Sequence, residues 1–96
     1  MGVYYWNMKP EIKKRSSRRL KIIEGQIRGL QKMIANGVYC VNIFTQSFAI
    51  KQALSGVEDL ILENHLSTHA RDQIKKGEEN RAVKEILKIY KLSRKK

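Results

Sequence analysis

The side chains best suited to hold a soft metal ion are one cysteine and two histidines, Cys40, His65 and His69. The two histidines are four residues apart, so on a helix they share a face and could grip one ion. Cys40 lies 25 positions before His65, which on a single helix is about 37 Å along the axis. One helix therefore cannot bring all three together. If it packs antiparallel against a second copy, Cys40 of one chain meets both histidines of the other.

These residues also have an ordinary structural interpretation, which the sequence alone leaves open. A cysteine near a helix start is commonly a small buried apolar side chain, and paired histidines are commonly surface residues. An enzyme is disfavoured, because the thiol and the two ligand-like imidazoles leave no separate base or nucleophile with an oxyanion partner. The sequence also lacks Walker-type and GxGxxG loops.

Basic residues form the second feature that could carry a function. The chain has 20 Lys and Arg against 9 Asp and Glu in 96 residues, a net charge of +11. Residues 9–21 hold seven cations and only Glu11 as an anion. On a helix, Lys14 and Arg18 lie on one stripe, which Arg19 flanks. This ridge favours nucleic-acid binding, with a solvated face as the alternative, and the basic run at residues 91–96 is interpreted as a solvated or frayed tail.

Three helices are needed to position these residues. Apolar residues between positions 20 and 34 step by three and four, which predicts a helix within residues 10–35. A similar pattern predicts one long helix over residues 38–71, and a short amphipathic helix follows Gly77. Asn36-Gly37 and Lys76-Gly77 are predicted helix ends. The fold class is therefore all-α, and Phe44, Phe48 and Tyr90 are expected in the core.

The length fits a single domain, which we expect over residues 10–92, between a flexible tail at 1–9 and a basic tail at 93–96. A lone core this small buries only about two thirds of the unfolded surface, so we expect self-association. One cysteine excludes an intrachain disulfide, and no secretory signal or membrane-spanning apolar stretch is visible. These features favour a reduced, cytoplasmic location without membrane attachment.

Two segments, RLKIIEGQIRGLQKMIANGVYCV at residues 19–41 and LILENHLSTHA at 60–70, resemble the CsoR/RcnR/FrmR family of small-molecule-responsive bacterial repressors. The resemblance covers about residues 13–92. It implies a three-helix protomer that forms antiparallel four-helix-bundle dimers and then a dimer of dimers. It also implies binding to double-stranded operator DNA without a helix-turn-helix.

The resemblance also assigns roles around the cysteine and histidines. The family's ligand triad falls on Cys40, His65 and His69, at a site that spans the dimer interface and holds one Cu(I) per protomer. The family's tyrosine and glutamate that hydrogen-bond the ligands correspond to Tyr39 and Glu85, where they would orient an imidazole through its other nitrogen.

DNA-binding residues follow partly from the same resemblance. Arg19 opens the EGQ-containing block and matches an arginine that relatives use for DNA, and Lys51 holds a position that is often basic. Two other positions that are often basic in the family are Gly56 and Asp59 here, which is a departure from the pattern. The expected DNA-binding residues are Lys14, Arg18, Arg19 and Lys51.

Departures from the family pattern separate its branches. His65 removes the dithiol of a persulfide sensor, and Gly2 and His69 argue against a formaldehyde sensor. Met8 stands where a nickel or cobalt sensor has an N-terminal histidine. We therefore predict a copper(I)-responsive repressor that binds its operator without metal and is released by copper. The alternatives are a repressor of this family that responds to nickel, cobalt or another inducer, a constitutive basic nucleic-acid-binding protein, and, third, a metal-buffering protein.

Overall fold

The computed structural model describes residues 8–95 and contains helices but no strand within them. Residues 1–7 of the predicted N-terminal tail, and Lys96, lie outside this part of the chain. The elements are α1 (Pro10–Ala35), α2 (Cys40–His65), a π-helical turn (Leu66–Ala70), α3 (Arg71–Lys75) and α4 (Glu79–Ser93). The all-α prediction is confirmed, and none of the described helices is long and apolar enough to cross a bilayer.

The end of α1 is fixed by local chemistry. Gly37 has a φ of 65°, a conformation that glycine adopts without a Cβ clash. Its N–H donates to the carbonyl of Ile34 at 3.2 Å, and the N–H of Val38 donates to Met33 at 3.0 Å. This is the Schellman pattern, which satisfies carbonyls that a helix end leaves open. Gly77, with a φ of 79°, ends α3 in the same way, so both predicted helix ends are confirmed.

The long helix predicted over residues 38–71 is longer than expected and is interrupted. Helical backbone continues to Lys75, but five residues after His65 form the wider π-helical turn. The Thr68 hydroxyl donates to the carbonyl of Asn64 at 2.6 Å, and the Ser67 hydroxyl approaches it at 3.3 Å. Because side-chain hydroxyls compete here for a backbone acceptor, they favour a local departure from α-helical hydrogen bonding.

Two compact units divide the chain, residues 1–62 and 63–96. Buried apolar side chains of the first unit come from α1 and α2, and those of the second are the small residues Ala70 and Ala82. No side chain among the described residues is completely buried. Each unit is thus only partly covered by its own residues.

Large apolar side chains remain on the surface of the single chain. Phe44 and Phe48 are 59% and 60% exposed, with their rings stacked at 6.1 Å, and Tyr90 is 54% exposed. The prediction that these three residues lie in the core is therefore wrong for one chain alone. Periodicity identifies an apolar helix face but does not say whether the same chain covers it. Contiguous exposed apolar surface of this kind is typical of a protein interface.

Candidate metal centre and nucleic-acid surface

The structure brings the two histidines together at the π-helical turn. His65 is the last residue of α2 and His69 lies within the turn. Their ring centroids are 5.4 Å apart and the planes are inclined at 45°. Both side chains are half-buried. A π-helical turn often coincides with a functional site, and here the turn contains His69 and directly follows His65.

Glu85 of α4 faces His65 across the second unit. Its Oε2 lies 3.5 Å from Nε2 of His65, which is buried and makes no hydrogen bond with the described residues. The Gln73 amide donates to the same Oε2 at 3.2 Å, and Nε of Arg81 lies 3.5 Å from Oε1. The carboxylate is therefore held from both sides with one oxygen toward the imidazole.

Sequence reasoning missed Gln73 and Arg81 as members of this cluster. The signal for Arg81 was available, because Arg81 and Glu85 have the spacing of an ion pair on a helix. Gln73 is only 6% exposed. Nothing in the sequence marked it as buried, because it is a polar residue in a helix that also carries exposed charges.

The environment of His69 favours the neutral form of its imidazole by lowering its pKa. Burial lowers the pKa of His69 from its ordinary value, and the neighbouring His65 lowers it further, whereas Asp72 and Glu85 act in the opposite direction. The net direction is downward. Because a metal binds the neutral ring, the lowered pKa widens the pH range in which His69 can be a ligand.

Cys40 belongs to a different unit of the chain from the two histidines. It is the first residue of α2, belongs to the first unit, and is an exposed free thiol. Tyr39, which precedes it, is 70% exposed. Within residues 8–95, no three His, Cys, Asp or Glu side chains are placed to hold one ion. The described part of one chain therefore does not assemble the three predicted ligands into one site.

The predicted DNA-binding residues of α1 are exposed cations. Lys14, Arg18 and Arg19 form no ion pair with a described carboxylate, whereas the neighbouring Arg15 lies 3.9 Å from Glu11. We call the first three residues the α1 ridge. Lys51 on α2 is also exposed, with Nζ 5.5 Å from the centre of the Phe48 ring. These unpaired positive charges are suited to phosphate groups.

Gly56 has a physical role next to Arg19. A Cβ at position 56 would lie 3.3 Å from Nη1 of Arg19, closer than an ordinary contact. The glycine thus leaves room on α2 for the guanidinium. Position 56 lacks the basic residue that is common there in the family, and the guanidinium of Arg19 from α1 lies beside it.

Comparisons with known proteins identify the family of the chain. Residues 12–91 match the family described as metal-sensitive transcriptional repressors. The chain is 42% identical over 73 residues to the copper-sensing transcriptional repressor CsoR of Bacillus subtilis, which covers 76% of this chain and 72% of the relative. It is 41% identical over 51 residues to the copper-sensing repressor RicR of Mycobacterium tuberculosis, about half of each chain.

A solved structure gives the same result for the fold. The crystal structure of the copper-sensing repressor CsoR with Cu(I) from Geobacillus thermodenitrificans superposes with a TM-score of 0.84 at 35% identity. The match covers 98% of this chain and 97% of that one. The resemblance inferred from the sequence is thereby confirmed, and the chain belongs to the family of metal-sensitive transcriptional repressors.

Proposed function

We propose that the chain is a copper(I)-responsive transcriptional repressor, which binds operator DNA without metal and releases it when copper binds. The observation that carries the proposal is the histidine pair, 5.4 Å apart, with Glu85 placed beside one ring. The copper-sensing relatives in Bacillus subtilis and Geobacillus thermodenitrificans support the choice of effector.

The donor set fits a soft monovalent ion. Cys40 would supply a thiolate, and His65 and His69 would supply two imidazole nitrogens. Soft sulfur ligands select Cu(I), whereas nickel and cobalt are better served by additional nitrogen and oxygen ligands. One Cu(I) per protomer is therefore the expected occupancy. The ion would act as the inducer of the repressor and not as a catalytic metal.

The contacts of Glu85 indicate which atom of His65 would bind. Because Nε2 points toward the carboxylate at 3.5 Å, a proton on Nε2 would be directed at Glu85 and Nδ1 would be left as the ligand atom. Metal-binding histidines commonly donate their other N–H to a carboxylate, which fixes the ring orientation. Gln73 and Arg81 hold Glu85 in place for this role. Tyr39 is proposed to assist from its position next to Cys40.

A complete site would require two chains. An antiparallel pair of α2 helices would place Cys40 of one protomer near His65 and His69 of its partner, twice per dimer. The exposed phenylalanines of α2 supply apolar surface for such a contact. We propose an antiparallel four-helix-bundle dimer that pairs again into a dimer of dimers, so that each ion would join two chains.

Operator binding is assigned to the α1 ridge together with Lys51. Lysine and arginine contacts to phosphates supply affinity and salt dependence, and DNA shape supplies part of the sequence preference. DNA release requires only that copper binds the conformation with low DNA affinity more tightly than the conformation with high DNA affinity. The coupling free energy between two such sites is typically about 1–3 kcal/mol. We place this activity in the cytoplasm, where operator DNA and a reduced thiol are both available.

The test is a copper titration of the protein–DNA complex. A duplex that the protein selects from a random-sequence pool is labelled, and its affinity is measured anaerobically with and without Cu(I). We expect copper to weaken binding by about 5- to 150-fold. Release by nickel or cobalt at a lower free concentration would indicate that branch of the family instead. DNA binding that no metal or small-molecule inducer alters would indicate a constitutive nucleic-acid-binding protein.

A further inference from the structure

The last turns of α4 present a row of lysines on one face. Lys84, Lys88 and Lys91 lie on the helix and Lys95 lies just beyond its end, with spacings of four, three and four residues. This spacing places them on one side of a helix. All four are exposed, and with Leu87 and Leu92 they line a shallow groove of about 420 Å³. We call these four residues the α4 lysine ridge.

A second hollow adjoins the end of the ridge. Lys91, Arg94 and Lys95 surround a space of about 250 Å³, and among residues 8–95 no carboxylate lines either hollow. The Arg94 guanidinium lies 5.4 Å from the centre of the Tyr90 ring, a cation–π contact that holds it over the helix. The arrangement, three cations around one hollow, suits the oxygens of a phosphate group.

Helix stability does not account for this charge. Cations favour the C-terminal end of a helix dipole, but the effect falls off within the last turn, and Lys84 and Lys88 lie before it. No described carboxylate forms an ion pair with the four lysines. Glu85 is already held by Arg81 and Gln73. The ridge therefore has positive charge that no described carboxylate neutralises, and Lys84, Lys88 and Lys91 lie within α4 itself.

We propose that the α4 lysine ridge is a second DNA surface, which binds backbone phosphates of the duplex in addition to those bound by the α1 ridge. The inference rests on the proposed repressor function. DNA is the occupant that fits, because the negative charge of its phosphates is complementary to a groove that four lysines line. Lysines bind phosphates as point charges without reading bases, so the ridge adds affinity and salt dependence but little sequence preference.

The test compares two double variants that lose the same charge. Lys88→Gln with Lys91→Gln alters the ridge, and Lys75→Gln with Lys76→Gln removes two exposed lysines at the end of α3, outside both hollows. Affinity for the selected duplex is measured over a range of salt concentrations. We expect the ridge variant to reduce the slope of log affinity against log salt by about 1.8 per engaged protomer, since each phosphate contact contributes about 0.9. The α3 variant should keep nearly the full slope.

A third protein, Arg19→Ala, separates this inference from the proposed function. It should weaken binding and reduce the slope by about 0.9 per engaged protomer, as loss of one α1-ridge contact requires. Suppose that Arg19→Ala behaves in this way, but the α4-lysine-ridge variant has the same DNA affinity and salt slope as the α3 variant. The α4 inference is then overturned while the repressor function stands. Failure of the wild-type protein to bind any duplex would overturn both. Unchanged circular dichroism and copper stoichiometry establish that the variants are folded.

Discussion

Replacing Cys40 with serine is expected to abolish copper-dependent release of DNA while leaving metal-free DNA binding nearly unchanged. The thiolate is the one soft anionic ligand of the proposed site, and serine keeps the shape of the side chain but binds Cu(I) poorly. Cys40 is exposed at the start of α2 and does not belong to the α1 ridge. The whole coupling free energy, about 1–3 kcal/mol, should be lost.

The measurement is the same DNA titration, carried out with and without Cu(I). Asn42→Ser is the matched control, because Asn42 is exposed two residues further along the same helix. It should respond to copper like the wild-type protein. A Cys40→Ser protein that still releases DNA at the wild-type copper concentration would remove the cysteine from the site.

Replacing Phe48 with glutamate should dissociate the assembly and with it both copper binding and high-affinity DNA binding. Phe48 is 60% exposed in the single chain and stacks on Phe44. Burial of a phenylalanine is worth about 1.5–3 kcal/mol, and a two-fold interface buries it twice. A glutamate would replace this gain with the cost of burying two carboxylates. The isolated chain should remain helical, because the side chain is not part of its buried core.

Light scattering at micromolar concentration checks this prediction. Gln31→Glu on α1 introduces the same charge change at another exposed position and should leave the size of the assembly unchanged. A wild-type protein that is monomeric, or a Phe48→Glu protein that stays the size of wild type, would rule out this interface.

Local chemistry made much of the fold predictable from the sequence. The helix ends at Gly37 and Gly77 follow from a conformation that glycine favours, and the apolar spacing of α1 follows from helical periodicity. The π-helical turn was not predicted because it depends on which backbone carbonyl accepts hydrogen bonds from the hydroxyls of Ser67 and Thr68. The periodicity of apolar residues carries no information about these hydrogen bonds.

The candidate site was predictable to a different degree. The proximity of the two histidines follows from their spacing in the sequence. Glu85 was predicted only from the family resemblance, and the match over residues 12–91 confirms the family. That match also confirms that the chain is a repressor rather than an enzyme. Gln73 became visible only in the folded chain, because its role depends on burial beside a helix that is distant in sequence. The ligand assignments themselves remain predictions.

The most direct test of a site shared between two chains is complementation between two defective proteins. One chain carries Cys40→Ser, and the other carries His65→Gln and His69→Gln. In an antiparallel dimer of the two, Cys40 of one chain and both histidines of the other form one intact site. Neither variant alone should retain tight Cu(I) binding against a chelating competitor. Coexpressed in equal amounts with random pairing, they should bind about 0.25 copper per chain, because half of the dimers are mixed and each has one site. Mixtures that bind no more copper than the separate variants would contradict the shared site.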